Sequence, residues 1–137
     1  MPETSLNALL RSLHAVRNSA VVVFCRLPPE MEPGSVPAVG LFRESEGVTV
    51  LLEERDAEAM RLTPVFRAAW ITLSVHSDLH AVGLTAAIAA ALAAEGISCN
   101  VVAAVHHDHL FVPIDRADDA IAALDRLQAA AQRPSSS

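Results

Sequence analysis

The chain has 137 residues, 52% of them hydrophobic, which is enough for one compact unit or two very small ones with a well-filled core. A formal net charge of −6, no Tyr and a single Trp argue against a surface for phosphate or for stacking on bases. All ten basic residues are Arg, which excludes a Schiff-base lysine or a P-loop lysine.

The opening MPETSLNALL has no basic segment followed by an apolar core, so no secretory leader is expected. Ser5 to Leu13 then reads as a short helix, with Leu6, Leu9, Leu10 and Leu13 at helical spacing and Thr4 or Ser5 as cap. Ala20 to Leu27, "AVVVFCRL", is a β-branched run typical of a buried strand. "PPEMEPGSVP" follows as a loop, because its prolines forbid regular pairing. Ala38 to Arg43 and Val48 to Glu53 are two strands of a hairpin whose "ESEG" turn uses the freedom of Gly47. Arg55 to Leu62 reads as a helix ended by Thr63-Pro64, and Phe66 to Val75 as a long strand. Ala81 to Glu95 is an alanine-rich helix stopped by Gly96. Thr85 interrupts its apolar run, which is shorter than the roughly 18 residues a membrane span needs, so a cytoplasmic protein without a membrane or nucleic-acid partner is expected. Ile97 to Val105 and His109 to Ile114 are two more strands. Asp115 caps a last helix whose buried stripe is Ile121, Leu124 and Leu127, and a frayed "RPSSS" tail ends the chain.

From Phe66 the order is strand, helix, strand, strand, helix, most of a βαββαβ ferredoxin-like α+β unit without its last strand. From Ala20 the same plan recurs with its first helix reduced to the Pro-rich loop. The expectation is two tandem copies, a degenerate N-terminal half over 1–65 and a full unit over 66–132, with 133–137 as tail. Either the two copies share the strand at Phe66 to Val75, or the strand at Ala20 completes the C-terminal sheet; the strand order is not fixed at this level.

The segment "SVHSDLHAVGLTAAIAAALAAEGISCNVVAAVHHDHLFVPID" carries the most information. A strand ends in a polar loop, a helix opens at a glycine, and a Gly-Ile step leads into the next strand. "AVGLTAAIAAALAAEGI" and the block "CNVVAAVHHDHLFVP" resemble the ACT domain, and in particular the small bacterial two-copy ACT proteins related to the regulatory region of aspartate kinase. The resemblance implies a non-enzymatic regulatory or sensor protein, likewise without a cofactor, that binds an amino acid and forms a homodimer. It points to Ser77, Asp78, Leu79, Val82, Gly83, Cys99 and Asn100 as ligand-binding residues. The chemistry agrees: unpaired N–H groups at a helix start attract a carboxylate, and Asp78 offers a partner for an ammonium group. Equally, Ser77 or Asp78 simply caps the helix and Gly83 permits close packing. The rival reading is an ACT-like dimerisation module without a ligand.

Five of the six histidines lie between positions 76 and 109. His76 and His80 have an HxxxH spacing but sit at a strand-to-loop junction, so the logic of two imidazoles on one helical face does not apply. A two-residue turn at His107-Asp108 makes His106 and His109 face each other, a candidate metal site for a metal-dependent enzyme. The plainer reading is a hairpin turned by Asp108, with histidines at the strand ends. Cys25 and Cys99 sit in apolar runs outside any CxxC pair and read as reduced thiols, and no GxSxG is present. Glu44, Glu46, Glu53, Glu54, Asp56 and Glu58 read as a solvated face and helix-start charge.

Overall fold

The computed structural model describes residues 5–74 and 83–132, without the side chains at positions 5 and 132. The elements run α1 (Ser5–Arg11), β1 (His14–Leu27), a single 3-10 turn (Pro33–Ser35), β2 (Ala38–Glu44), β3 (Gly47–Glu53) and α2 (Glu54–Ala59). They continue with β4 (Pro64–Ser74), α3 (Leu84–Ala94), β5 (Asn100–Ala103), β6 (Asp108–Pro113), another 3-10 turn (Ile114–Arg116) and α4 (Ala117–Gln132). The six described strands form one antiparallel sheet in the order β2-β3-β1-β4-β6-β5.

That order resolves the strand-sharing question in favour of both alternatives at once. In the C-terminal copy, β4, α3, β5, β6 and α4 are completed by β1; in the N-terminal copy, β1, the Pro-rich loop, β2, β3 and α2 are completed by β4. Each copy lends its first strand to the other as a fourth. The registers make the relation a local two-fold. β1 pairs with β3 through Val22–Leu27, β4 pairs with β6 through Ala68–Pro113 to Leu73–Asp108, and Val22 lies opposite Ala68 at the centre.

Alternation divides the sheet into two faces. Val23, Cys25 and Leu27 of β1 and Ala69, Ile71 and Leu73 of β4 point to the helix side. In the C-terminal copy they meet Leu84, Ile88 and Leu92 of α3 and Ala120, Ala123 and Leu124 of α4, with Leu9, Leu10 and Leu13 from the N-terminal segment. In the N-terminal copy the missing helix is replaced by Met31 and Val36 of the Pro-rich loop, with Ala57 of α2 and Leu62. Alanine on α4 lets the helix approach the sheet closely, and each buried Leu or Ile contributes roughly 1.5–3 kcal/mol.

Several boundaries depart from the sequence reading. β1 begins six residues early, at His14, over the polar stretch "HAVRNS", which pairs with β4 alone. Its register shifts between Arg17 and Val21, and Asn18 there donates to the Trp70 carbonyl and the Thr72 hydroxyl at 3.0 Å. α2 stops at Ala59 because Arg61 takes φ 58° and Leu62 N–H closes back onto the Ala57 carbonyl. α3 ends as expected at Gly96, φ 71°, where Ile97 N–H bonds the Leu92 carbonyl and Arg116 donates to the Glu95 carbonyl at 3.0 Å. β5 opens only at Asn100, after Ile97 has turned into the core, and α4 starts one 3-10 turn later than a cap at Asp115 requires.

Candidate functional site

Of the expected ligand residues, Ser77, Asp78, Leu79 and Val82 lie outside the described residues. Gly83 precedes α3 at φ 92° and, as the N-cap residue, has no side chain with which to cap the helix. A Cβ at Gly83 would meet Leu6 of α1 at 3.3 Å, so this position combines a left-handed backbone with a close approach. Cys99 packs against the helix-side core, while Asn100 opens β5 on the opposite face. α3 separates Gly83 from Asn100 by its length, roughly 16 Å for 11 residues. Within one chain the fold therefore does not bring Gly83 and Asn100 together.

The hairpin corrects the metal reading. Ala103 pairs with Asp108 and Ala104 N–H bonds the His107 carbonyl, so the turn spans Ala104 to His107 rather than His107-Asp108. His106 is exposed in that turn; His109 sits in β6 opposite Val102 and Thr72, so the two do not face each other. Asp108 is a strand residue whose carboxyl is pushed up by burial, against the pull of His109 and His107. Among the described residues no group of three His, Cys, Asp or Glu is placed to hold a metal. His76 and His80 lie outside the described residues.

Instead, His109 belongs to a hydrogen-bonded chain on the open face. Trp70 Nε1 donates to His109 Nδ1 at 3.0 Å, and the Thr72 hydroxyl, itself held by Asn18, lies 3.4 Å from the same nitrogen. A bond accepted at Nδ1 puts the imidazole proton on Nε2. Burial, and secondarily the neighbouring His107, lowers the His109 pKa, and Asp108 opposes that shift.

Among the described residues no helix covers the open face, yet Leu51 is 5% and Phe111 2% exposed. Phe24 meets Phe66 and Phe111 edge-on at 5.4 and 5.6 Å, and Trp70 stacks near-parallel to Phe111 at 6.2 Å. Phe42 of β2 and Val102 of β5, from opposite edges of the sheet, line the same two clefts, so the sheet curls until its edges approach. The clefts are mates across the local two-fold. One, of about 310 Å³, has Phe24, Glu44, Thr49 and Asn100 in its wall. The other, of about 360 Å³, has at the equivalent places Trp70, Ala104, His109 and Gly40. Phe42, Leu51, Val102 and Phe111 serve both. A further cleft of about 790 Å³ lies between the Pro-rich loop and the β2–β3 hairpin, with Arg26 and Arg43 in its lining. Sequence reasoning missed all three; the one local signal was Gly40 inside a strand, which marks a bulge or a close approach.

Both cysteines are free, and burial raises the thiol of Cys25 and pushes that of Cys99 up to about 11, which removes thiolate chemistry at neutral pH. Among the described residues no helix is long and apolar enough to cross a membrane.

Known proteins place this architecture. Two models of the ACT domain match the chain in tandem, over residues 1–69 and 65–126. A solved Vibrio cholerae protein of unknown function is 40% identical, with a TM-score of 0.81, over 90% of this chain and 96% of its own. The ligand-free regulatory subunit of aspartate kinase from Thermus thermophilus shares the fold at 10% identity and a TM-score of 0.61, over 82% of this chain and 95% of its own. A regulatory domain from Porphyromonas gingivalis, described as the C-terminal part of an aspartate kinase, does so at 12% and 0.55, over 85% and 96%. No curated protein matches the chain. With tandem matches over both halves and a 40% identical relative of the same size, the chain belongs to the ACT domain family, as a two-copy member whose copies share one sheet.

Proposed function

We propose that this protein is a regulatory module that binds an amino acid at the loop opening α3, and that binding stabilises a homodimer. The observation that carries the reading is the start of α3. Gly83, at φ 92°, is the N-cap of an 11-residue helix and has no side chain of its own to bond the first N–H groups, and Ser77, Asp78, Leu79 and Val82 come shortly before it in sequence. Such a terminus attracts a carboxylate, and Asp78 supplies the counter-charge for the ammonium group. Asn100 joins this site only from a second copy of the chain, because α3 separates it from Gly83 within one copy. Cys99 contributes packing behind Asn100 and no chemistry, since its thiol stays protonated. Regulation follows from differential affinity: an amino acid that binds between chains shifts the monomer–dimer balance by its own binding free energy and no more. Nucleophilic or metal-dependent catalysis is no part of this reading, and the protein acts in the cytoplasm.

A thermal-shift screen against the twenty amino acids tests it. A ligand at 100 times its Kd adds about 2.7 kcal/mol, a rise of roughly ten degrees for a chain of this size. Asp78→Ala is expected to abolish the rise. An unchanged response in that variant contradicts the loop assignment, and no response to any amino acid contradicts the ligand class.

A further inference from the structure

The paired clefts on the open face are related by a two-fold in backbone and differ in chemistry, and the difference bears on what each can hold. In the N-terminal mate the polar pair is internal: Thr49 donates its hydroxyl to Glu44, and the Asn100 side chain occupies the far wall. In the C-terminal mate Glu44 is replaced by Ala104 and Asn100 by Gly40, which removes a charge and opens room. What remains is an apolar space of about 360 Å³ in which His109 is the one ionisable side chain among the described residues. Its walls are the rings of Trp70, Phe111 and Phe42 with Leu51 and Val102. Space of that size, mostly apolar and with a single oriented polar group, is what a small-molecule site requires.

The polar group is oriented by the fold. Trp70 Nε1 occupies Nδ1 of His109, so Nε2–H is the ring's remaining donor. No described hydrogen bond uses it. Because Trp70 donates to Nδ1, a second proton on the ring costs that bond, so His109 meets a ligand as a neutral N–H donor. Its complement is an acceptor such as a carboxylate, and the complement of three aromatic walls is a ring. Gly40 marks the opening. A Cβ there would meet Leu51 at 3.8 Å, an ordinary contact, and its φ lies outside the left-handed region. The backbone at Gly40 does not require glycine, and its lack of a side chain leaves the cleft empty.

We propose that the cleft between Trp70, His109, Phe42 and Gly40 is a second ligand site, for a small aromatic carboxylate whose ring lies among the aromatic walls and whose carboxylate accepts from His109 Nε2. It is separate from the α3 loop site, so either can fail while the other stands.

Trp70 is the only tryptophan in the chain, which makes its emission a reporter of this cleft. Titration of the full chain with 3-phenylpropionate is expected to change that emission saturably, whereas ring-less propionate leaves it unchanged. Equilibrium dialysis with the same probe reads occupancy whatever the emission does. Gly40→Leu fills the cleft and is expected to abolish binding. His109→Phe keeps the ring volume and removes the donor, and is expected to weaken the carboxylate roughly tenfold to a hundredfold. In that variant the affinity for the uncharged 3-phenylpropanol falls less than that for the carboxylate. Far-UV circular dichroism checks that each variant folds; if Gly40→Leu does not, His109→Phe decides. No bound probe at millimolar concentration overturns the site. Full affinity in Gly40→Leu overturns its location, and full affinity in a folded His109→Phe overturns the role of the imidazole.

Discussion

The two halves of this protein share a backbone plan and are held together differently. The C-terminal half covers its share of the sheet with α3 and α4, burying Leu84, Ile88, Leu92 and Leu124. The N-terminal half has a Pro-rich loop where α3 stands and fills the space with Met31 and Val36. Four prolines in ten residues restrict the loop's backbone, and one 3-10 turn at Pro33–Ser35 is its only helical structure, so a short stretch of chain replaces three turns of α-helix. The sheet is indifferent to the exchange because each copy borrows a strand from the other, and neither half has a complete sheet alone. Degeneration of one helix is tolerated where the strands are held in common.

The largest test of that contrast is a matched pair of truncations. Leu92→Ala empties a fully buried position on α3 and is expected to cost about 2–5 kcal/mol in urea denaturation. Met31→Ala, at the partly buried counterpart on the loop, is expected to cost less than about 1 kcal/mol. Equal losses would mean that the loop is as integral to the core as the helix. Both variants should unfold in one transition, since β1 and β4 belong to both halves; separate transitions would show the halves to be independent.

Gly83→Ala comes next. Position 83 needs φ 92° and faces Leu6 at 3.3 Å, so even a methyl group is expected to cost about 1–3 kcal/mol. The same change at Gly40, in the mate of the Asn100 position, is expected to be neutral or mildly stabilising. A measured cost at Gly40 matching that at Gly83 would remove the distinction between a glycine the backbone needs and one that leaves space.

The smallest effects are in pH. His109 is held below its ordinary 6.5, so its contribution to stability is complete above that value and is lost as pH falls below it toward the folded-state pKa. Asp108, raised above 3.8, acts in the opposite sense: the folded state gains as pH falls through its raised pKa toward 3.8. Burial and then His107 lower the His109 pKa and Asp108 opposes them, while Trp70 and Thr72 are the groups that face Nδ1. Trp70→Phe removes the donor to Nδ1 and is expected to raise the His109 pKa, read by NMR titration of the ring protons. The N-terminal mate has Thr49 at this position, so the dependence belongs to the C-terminal cleft alone.

Much of the fold was legible in the sequence. The apolar runs at Ala20 and Phe66, the helical spacing of the leucines and the punctuation at Gly47, Pro64 and Gly96 each marked an element. The two-copy plan followed from their order. The first half of β1 was not legible, because "HAVRNS" lacks alternation and is ordered by pairing with β4 and by the Asn18 bonds. The histidine turn was misjudged because its length depends on where β5 and β6 stop pairing, which no residue between Ala103 and Asp108 announces. The clefts were invisible for a similar reason. Gly40 and His109 lie 69 positions apart in the chain and meet only through register and the curl of the sheet. Asn100 was picked out for a site at the start of α3; within one chain it also lines the cleft shared with Phe24, Glu44 and Thr49, a placement that only the register reveals.

The central claim is that an amino acid acts on this protein by tightening a dimer. Sedimentation equilibrium, with and without the amino acid that raises the melting temperature, tests it most directly. The account predicts that the ligand lowers the dimer dissociation constant and that Asp78→Ala removes the effect. An unchanged mass distribution under saturating ligand would contradict it.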